Sequence, residues 1–288
     1  MKGIDMEYTE LANGLKMPML GYGVFQIDDE TTERCVGDAL AAGYRLIDTA
    51  QAYMNERGVG AAIAASDVAR EEIFLVDKVW VSNYGEGKTY ESIARSLELL
   101  GLDYIDMMLL HQPYNDTYGA WRDMERALDE GLVRSIGVSN FDPVQLLDFC
   151  TFNRVAPVLN QVETHVFWQQ KTEHANMERL GVQHMAWGPF AEGANDFFNN
   201  PVLAEIGAHY GKSVGQVALR HLIDSGVVVI PKSVKAERMA ENFDVFDFEL
   251  SADDRAAIDA LDTDHSICYD HTDLTVVGGL LDFIKSTM

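Results

Sequence analysis

IDMMLLHQPYNDTYGAWRDMERALDEGLVRSIGVSN, residues 105–140, holds one full period of a pattern that runs through the chain. Ile105–His111 is a short apolar run that ends on a polar residue. Tyr118–Glu130 then places its apolar residues at helical spacing, and Arg134–Ser139 is a second apolar run with a polar end. A run with little polar alternation suits a strand covered on both faces. Two such runs joined by an amphipathic helix read as parallel neighbours with a crossover between them.

The same alternation extends in both directions. Strand-like runs lie at Met19–Gly23, Arg45–Asp48, Ile73–Lys78, Ile105–His111, Arg134–Ser139, Leu159–Glu163, His184–Trp187 and Val227–Ile230. Helical periods fall between them, among others at Thr31–Ala42, Tyr90–Leu100, Pro143–Phe152 and Val214–Ser225. Asp142-Pro143 supplies an N-cap followed by proline at the first helical position. Eight alternations in 288 residues predict an α/β fold, a (β/α)8 TIM barrel forming a single domain over 1–288. An open doubly wound sheet is the alternative. Ahead of the first run, Asn13-Gly14 separates Tyr8–Leu11 from Leu15–Leu20 and predicts an N-terminal β-hairpin. Its place before the first strand predicts that it closes the bottom of the barrel.

Composition narrows the partners. The net charge is −24, which disfavours nucleic acid and anionic membranes as partners. Three widely spaced cysteines without a CxxC pattern argue against a disulfide framework and a zinc ribbon, so no metal site is expected. The start, MKGIDMEYTE, is not a signal peptide, and no apolar stretch is long enough to span a bilayer. A cytoplasmic protein, monomeric or weakly homo-oligomeric, is expected.

The ends of the runs carry Gly23, Asp48, Lys78, His111, Ser139 with Asn140, Gln161 and Trp187, with Lys232 just beyond Ile230. In a barrel these positions share the C-terminal rim, where active sites are built. An inward charge is costly unless paired, and Asp48 and Lys78 are neighbours in strand order with opposite sign. With Tyr53 and His111 they make a plausible proton-delivery device. A phenol ordinarily titrates near pH 10, and the Lys78 ammonium is expected to lower that value. Asp48 would hold the lysine charged, and His111 would orient a carbonyl or relay the proton. GYGVFQ at residues 21–26 lacks the third glycine and following helix of a dinucleotide fingerprint, so it reads as a strand end with a close backbone approach. IPKSVKAER at 230–238 gathers Lys232, Lys235 and Arg238 at a helix start in an acidic chain, which suits a phosphate.

At this point the chain resembles the aldo-keto reductase family, closest to its bacterial diketogluconate reductase and prostaglandin F synthase-like branch. The resemblance is carried by GYGVFQ, YRLIDTAQAYMNE, FLVDKVW, GLDYIDMMLLHQP, GLVRSIGVSNF, NQVETH, IPKSVKAERMAENFDVFDFEL and ALDTDHS, in order from about Leu11 to Ser266. It implies a catalytic tetrad of Asp48, Tyr53, Lys78 and His111, and NADPH as cofactor. It implies that Ser139, Asn140 and Gln161 hold the nicotinamide carboxamide. Lys232, Ser233, Val234, Arg238, Glu241 and Asn242 would serve the adenosine phosphate end. Phe25 and Trp80, with His111, would face a small carbonyl substrate.

Three places depart from the pattern the resemblance implies. The usual aromatic-serine-proline triplet under the nicotinamide is Trp187-Gly188-Pro189, so the tryptophan still stacks but a hydroxyl is lost. Gln112 stands where tryptophan is common after the histidine. Ala-Glu-Gly-Ala-Asn follows Phe190 in place of a Leu/Gly run over the pyrophosphate. The implied reaction is NADPH-dependent reduction of aldehydes or ketones, with Tyr53 as proton donor. Two rivals differ in class: a nucleotide-binding structural protein on the same fold, and an aldolase or isomerase using Lys78 as a Schiff-base nucleophile.

Overall fold

The computed structural model describes residues 6–286. Its elements run β1 Tyr8–Glu10, β2 Lys16–Pro18, β3 Tyr22–Gly23, α1 Asp29–Ala42, β4 Leu46–Asp48, α2 Glu56–Ala65, β5 Phe74–Val79 and α3 Lys88–Leu100. They continue through β6 Met107–Leu110, α4 Thr117–Asp129, β7 Ile136–Ser139, α5 Pro143–Phe152, β8 Leu159–Glu163, α6 Lys171–Leu180 and β9 Gln183–Trp187. The remainder is α7 Pro201–Tyr210, α8 Val214–Asp224, β10 Val228–Val229, α9 Ala236–Phe243, α10 Ala252–Asp259 and α11 Leu274–Ser286.

β3 to β10 form one eight-stranded sheet in strict sequence order, each strand parallel to the next. A doubly wound sheet would reverse its strand order at a switch point. No reversal occurs, so that alternative is removed. The sheet curls until its outer strands meet: Gly21 N donates to Val229 O (2.8 Å) and Val229 N to Met19 O (2.9 Å). The strands are buried along their length, as the unbroken apolar runs predict.

Local chemistry sets the helix ends. Asp28 caps α1 by accepting from Thr31 N (2.9 Å). At its other end Gly43 has φ +112, and a Cβ there would lie 2.7 Å from the Phe243 ring, so only glycine fits. Asp142 and Gln145 form the capping box of α5 with Pro143 at the first helical position, as expected.

Several elements differ from their sequence outline. Regular pairing in the first run covers only Tyr22–Gly23, and in the last only Val228–Val229, because the ladder is thin where the two outer strands meet. In the N-terminal hairpin Thr9 faces Met17, so the loop is Leu11–Leu15 rather than the two residues Asn13-Gly14. Gly14 alone takes a positive φ there (+83), and Leu11 N donates to Leu15 O (2.9 Å). The hairpin bonds to residues that precede or open strands: Thr9 Oγ1 donates to Gln183 Oε1 (2.9 Å), and Asn13 Nδ2 to Arg134 O (3.4 Å).

Candidate active site

The parallel register brings the strand ends together. Gly23 lies beside Asp48, Lys78 beside Leu109, and Ser139 beside Gln161. Lys78 Nζ donates to Asp48 Oδ1 (2.5 Å) and to Thr49 O (2.8 Å), and Gln161 Nε2 donates to Asp48 Oδ2 (2.8 Å). Both charges of the pair are buried. The Lys78 ammonium is 5.1 Å from the centre of the Tyr53 ring, and the His111 ring meets Tyr53 edge-on at 5.7 Å. Phe25 packs on Tyr53 (5.0 Å) and Trp80 on His111 (5.1 Å). All four members of the expected tetrad, with both expected wall residues, therefore converge.

The turn carrying Tyr53 is fixed by two side chains that the sequence reading did not single out. Gln51 Oε1 accepts from Trp80 N (3.0 Å) and Asn83 Nδ2 (2.8 Å), which ties the turn to the end of β5. Buried Asn55 donates to Val24 O and Ile27 O (both 3.0 Å) and accepts from Thr49 Oγ1 (2.8 Å). Tyr53 is thus clamped between β3, β4 and β5.

The electrostatics correct one expectation. Burial pushes the Tyr53 phenol above its usual value and outweighs the opposing pull of Lys78. Lys78 does pull the value down as expected, but burial of the ring outweighs that pull, so no net lowering occurs. Burial also works against charge on Lys78, yet Asp48, Tyr53 and Asp77 together hold its pKa above the ordinary lysine value. His111 is held well below the usual imidazole range by burial and by Lys78, so it is neutral, and its Nδ1 has no protein partner. A protonated phenol, an ammonium and a neutral imidazole thus surround one point. On the outer face of β5, burial first and Glu56 second push Asp77 well above the carboxylate range. Glu56 Oε1 and Asp77 Oδ2 find no other donor, so one proton between the two carboxyl groups satisfies both.

The tetrad opens into a cavity of about 1050 Å³. Its wall includes Ser139, Asn140, Gln161, Trp187, Gly188, Pro189 and Phe190, and reaches Lys232 and Arg238. Ser233, Val234, Glu241 and Asn242 belong to the same loop and helix but not to that wall. Trp187 Nε1 donates to Asn140 Oδ1 (2.8 Å), which holds the indole at the wall. Asn140 Nδ2 donates to His111 O and Ser139 Oγ (both 3.1 Å), so this amide already spans the rim. Gln161 Oε1 has no protein partner among the described residues. Gly188 has φ +64, a conformation that disfavours the serine the resemblance implies there. The loop after Phe190 is irregular, with positive φ at Ala191, Glu192, Asn195 and Asp196.

These residues fit a dinucleotide. An indole face and an open amide oxygen lie beside the tetrad, and exposed Lys232 and Arg238, in no ion pair among the described residues, lie at the far end. The segment after His265, ending LTVVGGLLDFIKSTM, reads from sequence as lining the pocket mouth, with no residue of it assigned. The structure puts Cys268, Tyr269, His271, Leu280 and Phe283 of that segment on the wall.

The aldo/keto reductase family model matches residues 10–263. The chain belongs to this family. As an aldo-keto reductase it is an oxidoreductase acting on carbonyl groups, and it uses NADP(H). It is 44% identical over 262 residues to the glyoxal reductase of Bacillus subtilis, covering 90% of this chain and 94% of that protein. It is 43% identical over 255 residues to a methylglyoxal reductase of Salmonella typhimurium, covering 88% and 92%. The aldo-keto reductase of Bombyx mori, solved in complex with NADP, superposes with a TM-score of 0.89 at 33% identity, covering 95% of this chain and 98% of that one.

Proposed function

We propose that this aldo-keto reductase reduces small aldehydes, α-keto esters, dicarbonyls or keto-sugars to alcohols, with Tyr53 as the proton donor. The observation that carries the reading is that Tyr53 and His111 share one cavity wall, with the buried Lys78 ammonium 5.1 Å from the centre of the Tyr53 ring. Relatives named for glyoxal and methylglyoxal reduction support the dicarbonyl class. Bound NADPH supplies the hydride to the carbonyl carbon. His111 and Tyr53 position the carbonyl oxygen by hydrogen bonds. Tyr53 Oη gives its proton to that oxygen as the alkoxide forms, and the Lys78 ammonium stabilises the phenolate left behind. A phenol with a raised pKa holds its proton throughout the neutral range, which suits the reductive direction.

Ser139, Asn140 and Gln161 would hold the nicotinamide carboxamide against Trp187. Gly188, Pro189 and Phe190 would continue the cofactor wall. Lys232 and Arg238, with Ser233, Val234, Glu241 and Asn242 around them, would hold the adenosine phosphate end. Phe25 and Trp80 would exclude water from the substrate. The curled sheet reads as a closed (β/α)8 barrel, one domain over the chain, with the hairpin across its bottom. A monomer or weak homo-oligomer is the assembly proposed. The free state of Cys35, Cys150 and Cys268 fits the cytoplasm, and no described helix is long and apolar enough to cross a membrane. An imine-forming role for Lys78 requires a neutral amine, and Asp48 opposes that state.

The test is Tyr53→Phe, with NADPH oxidation followed on methylglyoxal and NADPH binding followed by tryptophan fluorescence. Turnover should fall by about 10²–10⁴ with binding retained. Retained turnover removes Tyr53 from the mechanism. A borohydride-trapped substrate adduct lost in Lys78→Met would favour Schiff-base chemistry instead.

A further inference from the structure

The segment after His265 returns to the catalytic rim, and one buried carboxylate fastens it. Glu163, at the end of β8, accepts from Ile267 N (2.9 Å), Cys268 N (2.9 Å), Tyr269 N (3.1 Å), Ser266 Oγ (2.7 Å) and His165 Nε2 (3.1 Å). Three successive backbone N–H groups on a carboxylate form an anion nest, so the interaction is specific to an ionised acid. Burial disfavours that charge, but the donors from His165 and the segment hold the Glu163 pKa down at about 2. Glu163, His165 and Cys268 bring metal-type donor atoms within 4.8 Å of one another. The ring of N–H donors already neutralises the carboxylate, which leaves a cation no favourable place.

Two residues beyond this anchor, His271 crosses the cavity mouth. Its Nε2 lies 3.0 Å from Gln112 Oε1, and its ring packs on Tyr269 at 4.7 Å. Gln112 follows His111 in the chain, and its backbone is held from both sides by Tyr84: Gln112 N donates to Tyr84 Oη (3.1 Å), and Tyr84 Oη donates to Gln112 O (2.9 Å). Both side chains line the same cavity as Tyr53 and His111. The other terminal atom of the Gln112 amide has no protein partner among the described residues. That atom is NH₂ in one orientation of the amide and the carbonyl oxygen in the other. A hydroxyl group both donates and accepts, so it pairs with the amide in either orientation.

We propose that Gln112 and His271 form a polar clasp that selects carbonyl substrates bearing a hydroxyl on the carbons next to the reacting carbonyl, with Glu163 as the residue that positions it. The proposal rests on the carbonyl-reductase reading above and narrows its substrate class. An apolar neighbour of the carbonyl leaves the free end of the amide without a partner when it displaces water from it. The discrimination expected from one such hydrogen bond is roughly tenfold.

The test compares glyceraldehyde with propanal, three-carbon aldehydes with and without hydroxyls, using NADPH. The quantity read is the ratio of their kcat/KM values. Gln112→Leu and His271→Phe should each lower that ratio about tenfold, and the double variant should fall little further, because the pair acts as a unit. Glu163→Gln should raise the KM for glyceraldehyde more than it lowers kcat, and should lower the same ratio. A ratio unmoved in Gln112→Leu and His271→Phe, with both variants folded by circular dichroism, overturns the clasp. An unmoved ratio in Glu163→Gln alone overturns the positioning role. Absence of wild-type turnover on both aldehydes overturns the reductase reading and the clasp with it.

Discussion

Lys78→Met tests the centre of the site, because it removes a charge while keeping an unbranched stem of similar length. In the native protein the ammonium has three neighbours: Asp48 Oδ1 at 2.5 Å, Thr49 O at 2.8 Å, and the Tyr53 ring at 5.1 Å from its centre. Asp48 is 2% exposed, so the variant leaves a buried carboxylate with only Gln161 Nε2 as donor. Breaking a buried pair from one side costs about 3–5 kcal/mol. Burial already raises the Asp48 pKa against the pull of Lys78 and Gln161, and without Lys78 it rises further. A folded-state pKa above the unfolded value gives stability that is present at low pH and lost as pH rises through the folded pKa. The deficit of the variant relative to wild type should therefore be smaller at pH 5 than at pH 8. Lys78→Met/Asp48→Asn should recover most of it at pH 8. Turnover should stay low in both variants, down about 10²–10⁴, since neither stabilises a Tyr53 phenolate. The assays are urea denaturation at the two pH values and NADPH oxidation on methylglyoxal. A deficit independent of pH, or turnover near wild type, would refute the reasoning.

Arg238→Ala should raise the NADPH KM about tenfold at low salt, less at high salt because the side chain is exposed, and leave the NADH KM nearly unmoved; equal shifts would mean that Arg238 supports α9 rather than the phosphate. Asp77→Asn places a permanent donor beside Glu56. Wild type should lose stability as pH rises through the raised Asp77 pKa, whereas the variant should not, so its advantage of about 1–3 kcal/mol should grow from acidic to alkaline melts. Asn55→Ala removes four buried hydrogen bonds that brace the Tyr53 turn; it should lower kcat together with stability, and unchanged kcat would show that the turn holds itself.

The strand ends were legible because one period of the alternation predicts the next. Asp48, Lys78, His111, Ser139 and Trp187 each end an apolar run, Gln161 sits in the middle of one, and the parallel register then brings them together. What was not legible depends on contacts between distant segments. The sign of the Tyr53 shift turns on how completely Phe25 and the neighbouring walls exclude water from the ring. A charge placed by sequence gives only the Lys78 contribution, which is the smaller one. That the C-terminal segment lines the pocket mouth was legible, but not which of its residues do so or what anchors them. Nothing in Ser266–His271 marks it as a partner of Glu163, about a hundred positions earlier, until the backbone N–H groups are seen to converge.

Charge distribution links the fold to its cofactor. With a net charge of −24 the chain repels a dinucleotide at long range, so attraction must come from cations kept free of internal partners. Most arginines are spent elsewhere: Arg34, Arg45, Arg70, Arg122, Arg126, Arg134, Arg154, Arg220 and Arg255 all stand in ion pairs. Lys232, Lys235 and Arg238 form none among the described residues, although Glu237 and Glu241 lie on the same segment. The start of α9 has no side-chain cap, so its first N–H groups are open as well. Cations with no internal partner beside an uncapped helix start give up no existing ion pair when an anion arrives, which offsets part of the desolvation and ordering cost of each contact. On the proposed assignment, the acidic charge would suppress adventitious anions while the basic segment would keep its affinity for the phosphate at the far end of the cavity.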